Sequence, residues 1–325
     1  MASSDKNKLD ICIIDGKALN PGDLSWENFR GLGNLTIYEE TTPDQILSRA
    51  KKSDIIITNK VVFDAKTLSE LPCLKCIVVT ATGYNNIDIE AAKSLGIAVC
   101  NAPNYSTLSV AQHVFALIMH IYNRVGEYVK DTAQGKWCHT TCFCNNTYPT
   151  QELNNKTIGI VGLGNIGMKV AEIAHAFGMK TIAITSKKGS TLPEHIKPVD
   201  KETLFRLSDI ITLHIPLTPQ TTNYINKDSL ELLKTNAIII NTARGSLVNE
   251  LDIATALNNN TLLAYAADVL SSEPPSQVNP LLHAKNAFIT PHIAWATRDA
   301  RQRLINITYN NVKAFISNNP INTIN

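Results

Sequence analysis

Short runs of β-branched and other apolar residues alternate with helix-forming segments along nearly the whole chain. A first series of candidate strands comprises Asp10–Ile14, Leu35–Tyr38, Asp54–Thr58, Cys76–Thr80 and Ile97–Cys100. A second comprises Thr157–Val161, Thr181–Ile184, Asp209–Leu213, Ala237–Asn241, Leu262–Ala266 and Ala287–Thr290. Many of these runs are apolar at consecutive positions rather than alternate ones, the pattern of strands buried on both faces. Between them Pro43-Asp44 opens a helix, and Asp88 caps another that Gly96 ends. Buried strands separated by helices form parallel sheets with right-handed crossovers. The expected fold class is therefore α/β, in two doubly wound parallel-sheet units.

The pattern changes in the middle. Pro103–Thr107 is turn-like, and the helix after it, Leu108 to Arg124, is apolar on nearly every face. Such a helix is either a core helix of the second unit or one buried partly against another subunit, and the breadth of its apolar face favours the latter. Gly126 to Asn155 lacks clear periodicity and reads as an irregular arm. A last long helix, about Thr297 to Ser317, follows the final strand and is placed to return to the first unit. No repeat or low-complexity tract interrupts the series.

Composition narrows the class. The 325 residues suffice for two ordinary domains, and 44% of them are apolar. Thirty basic against twenty-eight acidic side chains leave +2, without long runs of one sign. That excludes the concentrated basic footprint of a nucleic-acid protein. Met1 to Asp10 is polar and the apolar run after it is only Ile11–Ile14, too short for a secretory h-region. The most apolar helical stretch, Leu108 to Ile121, is broken by His113 and His120, so no membrane span and a cytoplasmic location are expected.

Seven cysteines, an odd number, then read as free thiols. A zinc site competes with this: Cys73 and Cys76 form C-x-x-C, and Cys138, Cys142 and Cys144 cluster with His139. The first pair, however, runs into Cys76-Ile77-Val78-Val79, where cysteine serves as a small core hydrophobe. The second lacks the paired spacing of a finger or ribbon. No metal is expected.

The strongest local signal is Gly162-Leu163-Gly164-Asn165-Ile166-Gly167, directly after the strand Thr157–Val161 and opening the helical pattern Met168–Phe177. A lone G-x-G-x-x-G is weak, but strand before and helix after make it a dinucleotide turn. Gly162 permits the tight bend, Gly164 lets backbone approach a pyrophosphate, and Gly167 lets helix pack on strand. The helix N-terminus adds unpaired N–H groups and the positive end of the dipole. The next strand should end in an acid for the ribose hydroxyls of NAD, yet the residues there are Thr185-Ser186-Lys187-Lys188. Without the carboxylate that repels a 2′-phosphate, Ser186 and Lys187 are placed to bind one. Both NAD(H) and NADP(H) stay open as cofactors, with the balance toward NADP(H).

Three further motifs close later strands, on the face where α/β sheets bind ligands: Asn241-Thr242-Ala243-Arg244-Gly245, Asp268-Val269-Leu270-Ser271-Ser272-Glu273-Pro274 and Pro291-His292-Ile293-Ala294-Trp295. Singly, each has an ordinary explanation: a surface ion pair, a solvated acid, a helix cap. In this order after a dinucleotide turn they resemble the D-isomer-specific 2-hydroxyacid dehydrogenases. Thr82-Gly83-Tyr84-Asn85-Asn86-Ile87-Asp88, Asn101-Ala102-Pro103 and His214-Ile215-Pro216-Leu217-Thr218 extend the resemblance over nearly the whole chain. Thr58-Asn59-Lys60, Glu273-Pro274-Pro275 and His292-Ile293-Ala294-Trp295-Ala296 bring it nearest to the glycerate dehydrogenases (hydroxypyruvate reductases). The departures are the missing ribose acid and Ala294, where many relatives have glycine.

That resemblance implies two Rossmann- or flavodoxin-like domains with a cleft between them that closes by hinge motion. Residues 1–103 plus 297–325 would be substrate-binding, residues 104–296 dinucleotide-binding with a dimerisation arm at about 126–155, and the assembly a homodimer. It implies roles as well. Arg244 would bind the substrate carboxylate and C2 oxygen through its planar fork, and backbone N–H groups at Thr82 and Gly83 would hold the other carboxylate oxygen. His292 would exchange a proton with the C2 oxygen, with Glu273 orienting the ring and stabilising its protonated form. The nicotinamide supplies the hydride. Asn165, Ile166, His214, Pro216, Thr242 and Ala243 fall in the cofactor-binding motifs. Asp268 would receive the carboxamide, with a structural acid at a helix end as its alternative reading. The reaction implied is hydride transfer between nicotinamide and a small D-2-hydroxy or 2-keto acid: glycerate and hydroxypyruvate first, with glyoxylate, phosphoglycerate and lactate as alternatives. A dinucleotide-sensing protein on the same fold is the non-enzymatic rival.

Overall fold

The computed structural model describes residues 8–325; the polar stretch Met1–Asn7 lies outside them. The chain divides into two compact units, one running to Ser106 and taken up again over Ala296–Asn325, the other Thr107–Trp295.

In the first unit five strands, β1 Asp10–Ile13, β2 Asn34–Ile37, β3 Ile55–Thr58, β4 Cys76–Val79 and β5 Ala98–Cys100, form a parallel sheet in the order β2-β1-β3-β4-β5. β3 and β4 are buried at every position, which is why their sequences carry no alternation. The helix opened by Pro43-Asp44 begins as a 3₁₀ turn, Pro43–Gln45, and continues as Ile46–Ala50. Asp88 accepts from Ala91 N–H at the head of Ile89–Ser94, and Gly96 takes φ +69° beyond its end. Strand order reverses between β1 and β3, and there the Asp15 carboxylate receives the amides of Asn59, Lys60 and Val61 at 2.8, 2.6 and 3.2 Å.

The long helix Arg298–Ile316 belongs to this unit. The Arg301 guanidinium fastens it bidentately to Asp23, both bonds 2.7 Å. Residues beyond it return along β5. Asn322 O accepts from Asn101 N–H, Ile324 N–H donates to Val99 O, and the Asn325 side chain bonds Val99 N–H and Ile97 O. The C-terminal segment thus finishes the edge of a sheet begun at Asp10.

In the second unit seven parallel strands follow the order β12-β11-β10-β9-β6-β7-β8. They are β6 Thr157–Val161, β7 Lys180–Ile184, β8 Ile196–Pro198, β9 Ile210–Leu213, β10 Ile238–Asn241, β11 Ala264–Ala267 and β12 Ala287–Ile289. The order reverses between β6 and β9, which puts the ends of these neighbours at a switch point. β8, a three-residue edge strand containing a proline, was not expected.

Helix Thr107–Asn123 buries most of its apolar side chains inside this unit, packing on the helix Asn165–Ala176 and on the sheet. That packing accounts for its broad apolar face without a second chain; Leu108, 57% exposed, is the large exception. The expectation of irregularity from Gly126 is corrected: Val125–Ala133 is α-helical and Lys136–His139 a 3₁₀ turn. Asp131 organises the segment, accepting from Lys136 Nζ at 2.6 Å and Tyr148 OH at 2.8 Å. No helix among the described residues is long and apolar enough to cross a membrane.

Candidate active site

The glycine turn sits at the switch point of the second sheet. Gly162, at φ +98°, lies so close to the chain after β9 that a Cβ would be 2.7 Å from His214 O. At Gly167 a Cβ would meet Gly162 O at 2.1 Å, so both positions admit only glycine. Gly164, by contrast, has open space where a side chain would stand, on the exposed approach to the helix Asn165–Ala176. Just beyond β10, Thr242 Oγ1 is buried with no hydrogen-bond partner among the described residues. An open glycine before a helix N-terminus after β6, and an orphaned hydroxyl after β10 in the same sheet, suit a dinucleotide's phosphates and sugar. His214 bonds Thr212 through Nε2 at 2.9 Å, and burial pulls its pKa down to about 3, so the ring is neutral. Pro216 is exposed beyond it, while Ile166 packs against the core cluster of the unit.

At the end of β7 the turn Thr185–Lys188 is closed by Lys187 N–H on Thr185 Oγ1 at 3.1 Å, leaving Ser186 and Lys187 exposed. None of these four residues is acidic.

Beyond β10, Asn241 shapes the next loop. Wholly buried, it accepts from Ala243 N–H through Oδ1 (3.1 Å) and donates through Nδ2 to Arg244 O (2.9 Å). This Asx-type turn presents Arg244, an exposed residue whose Nη1 donates to Ala243 O at 2.7 Å. A Cβ on Gly245 would fall 1.9 Å from the carbonyl carbon of Leu270, so the motif Asn241–Gly245 lies directly against the motif Asp268–Pro274.

Glu273 and His292 are paired: Oε2 lies 2.5 Å from His292 Nδ1, and Oε1 accepts from Leu270 N–H at 3.0 Å. His292 has φ +55°, an uncommon conformation for histidine, and its N–H is bonded to Asp268 O at 2.9 Å. Asp268 is 1% exposed. Its Oδ1 takes Thr290 Oγ1 (2.6 Å) and Ile293 N–H (2.8 Å), and its Oδ2 takes Ala294 N–H (2.7 Å). The carboxylate therefore holds the loop that carries His292, a task the sequence did not reveal.

Arg244, Glu273 and His292 line one recess of the second unit, with Leu217, Ser246 and Leu270. Sequence reasoning missed Glu250, which ties down the loop bearing Glu273 through Ser271 N–H (2.7 Å) and Asn279 Nδ2 (2.8 Å). Its signal is faint, because it lies more than twenty residues from either partner on a different helix. Thr82 and Gly83 belong to the other unit, after β4. There Thr82 Oγ1 bonds Ala102 O, and Asn101 Nδ2 donates to Thr82 O.

The cysteines are free. Burial pushes the Cys12 thiol up to about 11, and a hydrogen bond to Cys100 together with burial raises that of Cys76, as befits core thiols. Among the described residues no group of three His, Cys, Asp or Glu side chains is arranged to hold a metal ion.

Residues 115–294 match the family described as "D-isomer specific 2-hydroxyacid dehydrogenase, NAD binding domain". The chain is 39% identical to a hydroxypyruvate reductase of Blautia hydrogenotrophica, over 98% of this chain and 100% of the relative. It is 40% identical to a glycerate dehydrogenase of Methylorubrum extorquens, over 97% and 98%. Among solved structures it is similar to an acyclic imino acid reductase in complex with NADPH and D-Arg, at a TM-score of 0.84 and 29% identity over 98% of this chain and 100% of that one.

Proposed function

This chain belongs to the D-isomer-specific 2-hydroxyacid dehydrogenases, and from that premise we propose that it interconverts hydroxypyruvate and D-glycerate, with glyoxylate as a second substrate and NADPH preferred to NADH. The observation that carries the catalytic reading is the recess in which the Arg244 guanidinium and the Glu273–His292 pair meet. The substrate reading rests on full-length likeness to enzymes named for hydroxypyruvate and glycerate.

The turn Gly162–Gly167 and the N-terminus of the helix Asn165–Ala176 would hold the reduced dinucleotide, which would supply the hydride for C2 of the keto acid. The protein's own groups do the rest. Arg244 holds the carboxylate and polarises the C2 carbonyl, stabilising the negative charge that grows on its oxygen. Because Nδ1 of His292 is engaged by Glu273, Nε2 is the nitrogen left to deliver a proton to that oxygen. Glu273, itself fixed by Leu270 N–H, holds the ring through Nδ1 and so fixes the orientation in which Nε2 meets the substrate. In the reverse direction Nε2 takes the hydroxyl proton. Thr82 and Gly83 are proposed as substrate-contacting residues of the smaller unit, and Asp268, Thr242, Ala243 and His214 as cofactor contacts.

The preference for NADPH rests on Thr185–Lys188, where a 2′-phosphate would find the exposed Ser186 and Lys187 and no acidic residue among the four. We further propose a homodimer formed through the arm, whose Val125, Val129, Trp137 and Phe143 are more than half exposed, and a cytoplasmic location.

The test is a matrix of initial rates: hydroxypyruvate, glyoxylate, pyruvate and 3-phosphohydroxypyruvate, each with NADH and NADPH. The reading expects the highest kcat/KM for hydroxypyruvate with NADPH. A preference for the phosphorylated acid moves the assignment to phosphoglycerate. Dinucleotide binding with no reduction of any 2-keto acid ends the catalytic assignment in favour of a sensing role.

A further inference from the structure

We propose that Thr290 and His113 are positioning residues for proton transfer. They act through a directed chain of hydrogen bonds that starts on the helix Thr107–Asn123 and ends at the backbone carrying His292. Its kinetic consequences rest on the dehydrogenase reading above; its geometry does not.

The direction follows from counting protons. The Thr290 hydroxyl has one to give, and three groups surround its oxygen: Asp268 Oδ1 at 2.6 Å, His113 Nε2 at 2.9 Å and Ala267 O at 3.4 Å. Asp268 Oδ1 is the nearest of the three, and both oxygens of that carboxyl group already serve as acceptors for backbone N–H groups, so the Thr290 proton points there. With that proton committed, Oγ1 can only accept from His113, which places a hydrogen on His113 Nε2. His113 therefore donates to Thr290 and Thr290 donates to Asp268. The same Nε2 lies 3.7 Å from Asp268 Oδ1, turning its positive edge toward the carboxylate.

Asp268 needs this support because it is 1% exposed, and a buried carboxylate is tolerable only when its lone pairs are met. It converts the support into geometry by accepting from Ile293 and Ala294 N–H, the two amides that follow His292. Those bonds, with His292 N–H on Asp268 O, hold the histidine at φ +55°, where it would not rest unaided. A second strut rises from the same helix, where Ser109 Oγ donates to Ala294 O at 2.5 Å. Neither Thr290 nor His113 lines the recess that holds Arg244, Glu273 and His292. Their effect on catalysis must pass through the loop.

Four variants test this: Thr290→Val and His113→Phe remove the donors, whereas Thr290→Ser and His113→Gln keep them. The first readout is hydrogen–deuterium exchange of the 292–295 segment in protein free of dinucleotide, which needs no activity. The second is kcat, KM and dinucleotide affinity, measured separately. The expected result is faster exchange in Thr290→Val and His113→Phe. Their kcat should fall about tenfold or more, since small displacements of a catalytic group are that costly. Dinucleotide affinity should be retained and most activity restored in the two conservative variants. Wild-type exchange in both disruptive variants would overturn the proposal. So would Thr290→Ser as impaired as Thr290→Val, or a loss lying wholly in dinucleotide affinity. If Thr290→Val fails to fold, the His113→Phe and His113→Gln pair decides. A wild-type protein that reduces no 2-keto acid refutes the dehydrogenase reading, while the exchange experiment still decides the hydrogen-bond chain.

Discussion

Gly245 binds two halves of the recess together by what it lacks. A methyl group there would occupy the place of the Leu270 carbonyl, and Leu270 N–H is the donor that fixes Glu273. Gly245→Ala must therefore separate Arg244 from the Glu273–His292 pair. We expect kcat/KM to fall roughly 100-fold, the scale of an ångström's misplacement, with a lowered Tm; steady-state kinetics and thermal melts check both. His214 supplies a pH signature at the same scale. Its folded pKa of about 3 lies below the unfolded value near 6.5, so below pH 6.5 the unfolded chain binds a proton that the native state refuses. Stability falls as pH drops from 6.5 toward 3, by at most ~1.4 kcal/mol per pH unit. The slope should be shallower in practice, because the residue keeps part of its surface. Urea titrations of the dinucleotide-free protein at several pH values should show this acid limb, flattened in His214→Asn. Arg244, Glu273 and His292 were legible because each stands in a motif at a strand end. Glu250, Thr290 and His113 were not, since each acts on a partner distant in sequence, through one hydrogen bond that leaves no periodic trace.

Most strands were legible for the reason that they are buried on both faces. The exceptions mark where that rule stops. Ile196–Pro198 buries only Ile196, so neither run length nor alternation announces it. Val125–Ala133 buries only Asp131, and with its valines exposed the helical stripe that sequence reading seeks is missing. The structure that follows this helix is built on polar contacts instead: Asp131 with Lys136 and Tyr148, Tyr128 OH with Tyr148 O, and Trp137 Nε1 with Phe143 O. Asp131→Ala removes the acceptor that two of these share. Limited proteolysis should then cut the segment 134–150 faster than in the wild type, while the glycine turn still binds dinucleotide. Equal cleavage rates would show that the arm is held by something other than Asp131.

At the scale of the molecule, the dimer proposed above rests on the exposed apolar side chains of the arm. Val125, Val129, Trp137 and Phe143, the last 89% exposed, crowd into nineteen residues of one arm. Large apolar side chains so placed favour association. Sedimentation velocity should report a dimer for the wild type, and Val129→Asp with Phe143→Ser should shift it toward monomer. A wild-type monomer at micromolar concentration would remove the arm from that role. The chain's path carries a different consequence, for its birth rather than its chemistry. The sheet begun at Asp10 has its β5 edge closed by residues 322–325, whereas everything needed for the seven-stranded sheet is made by Trp295. During synthesis the portion made first is thus completed last. Nascent chains arrested near residue 300 should carry a protease-resistant middle and a cleavable beginning, their first sheet waiting on residues not yet translated.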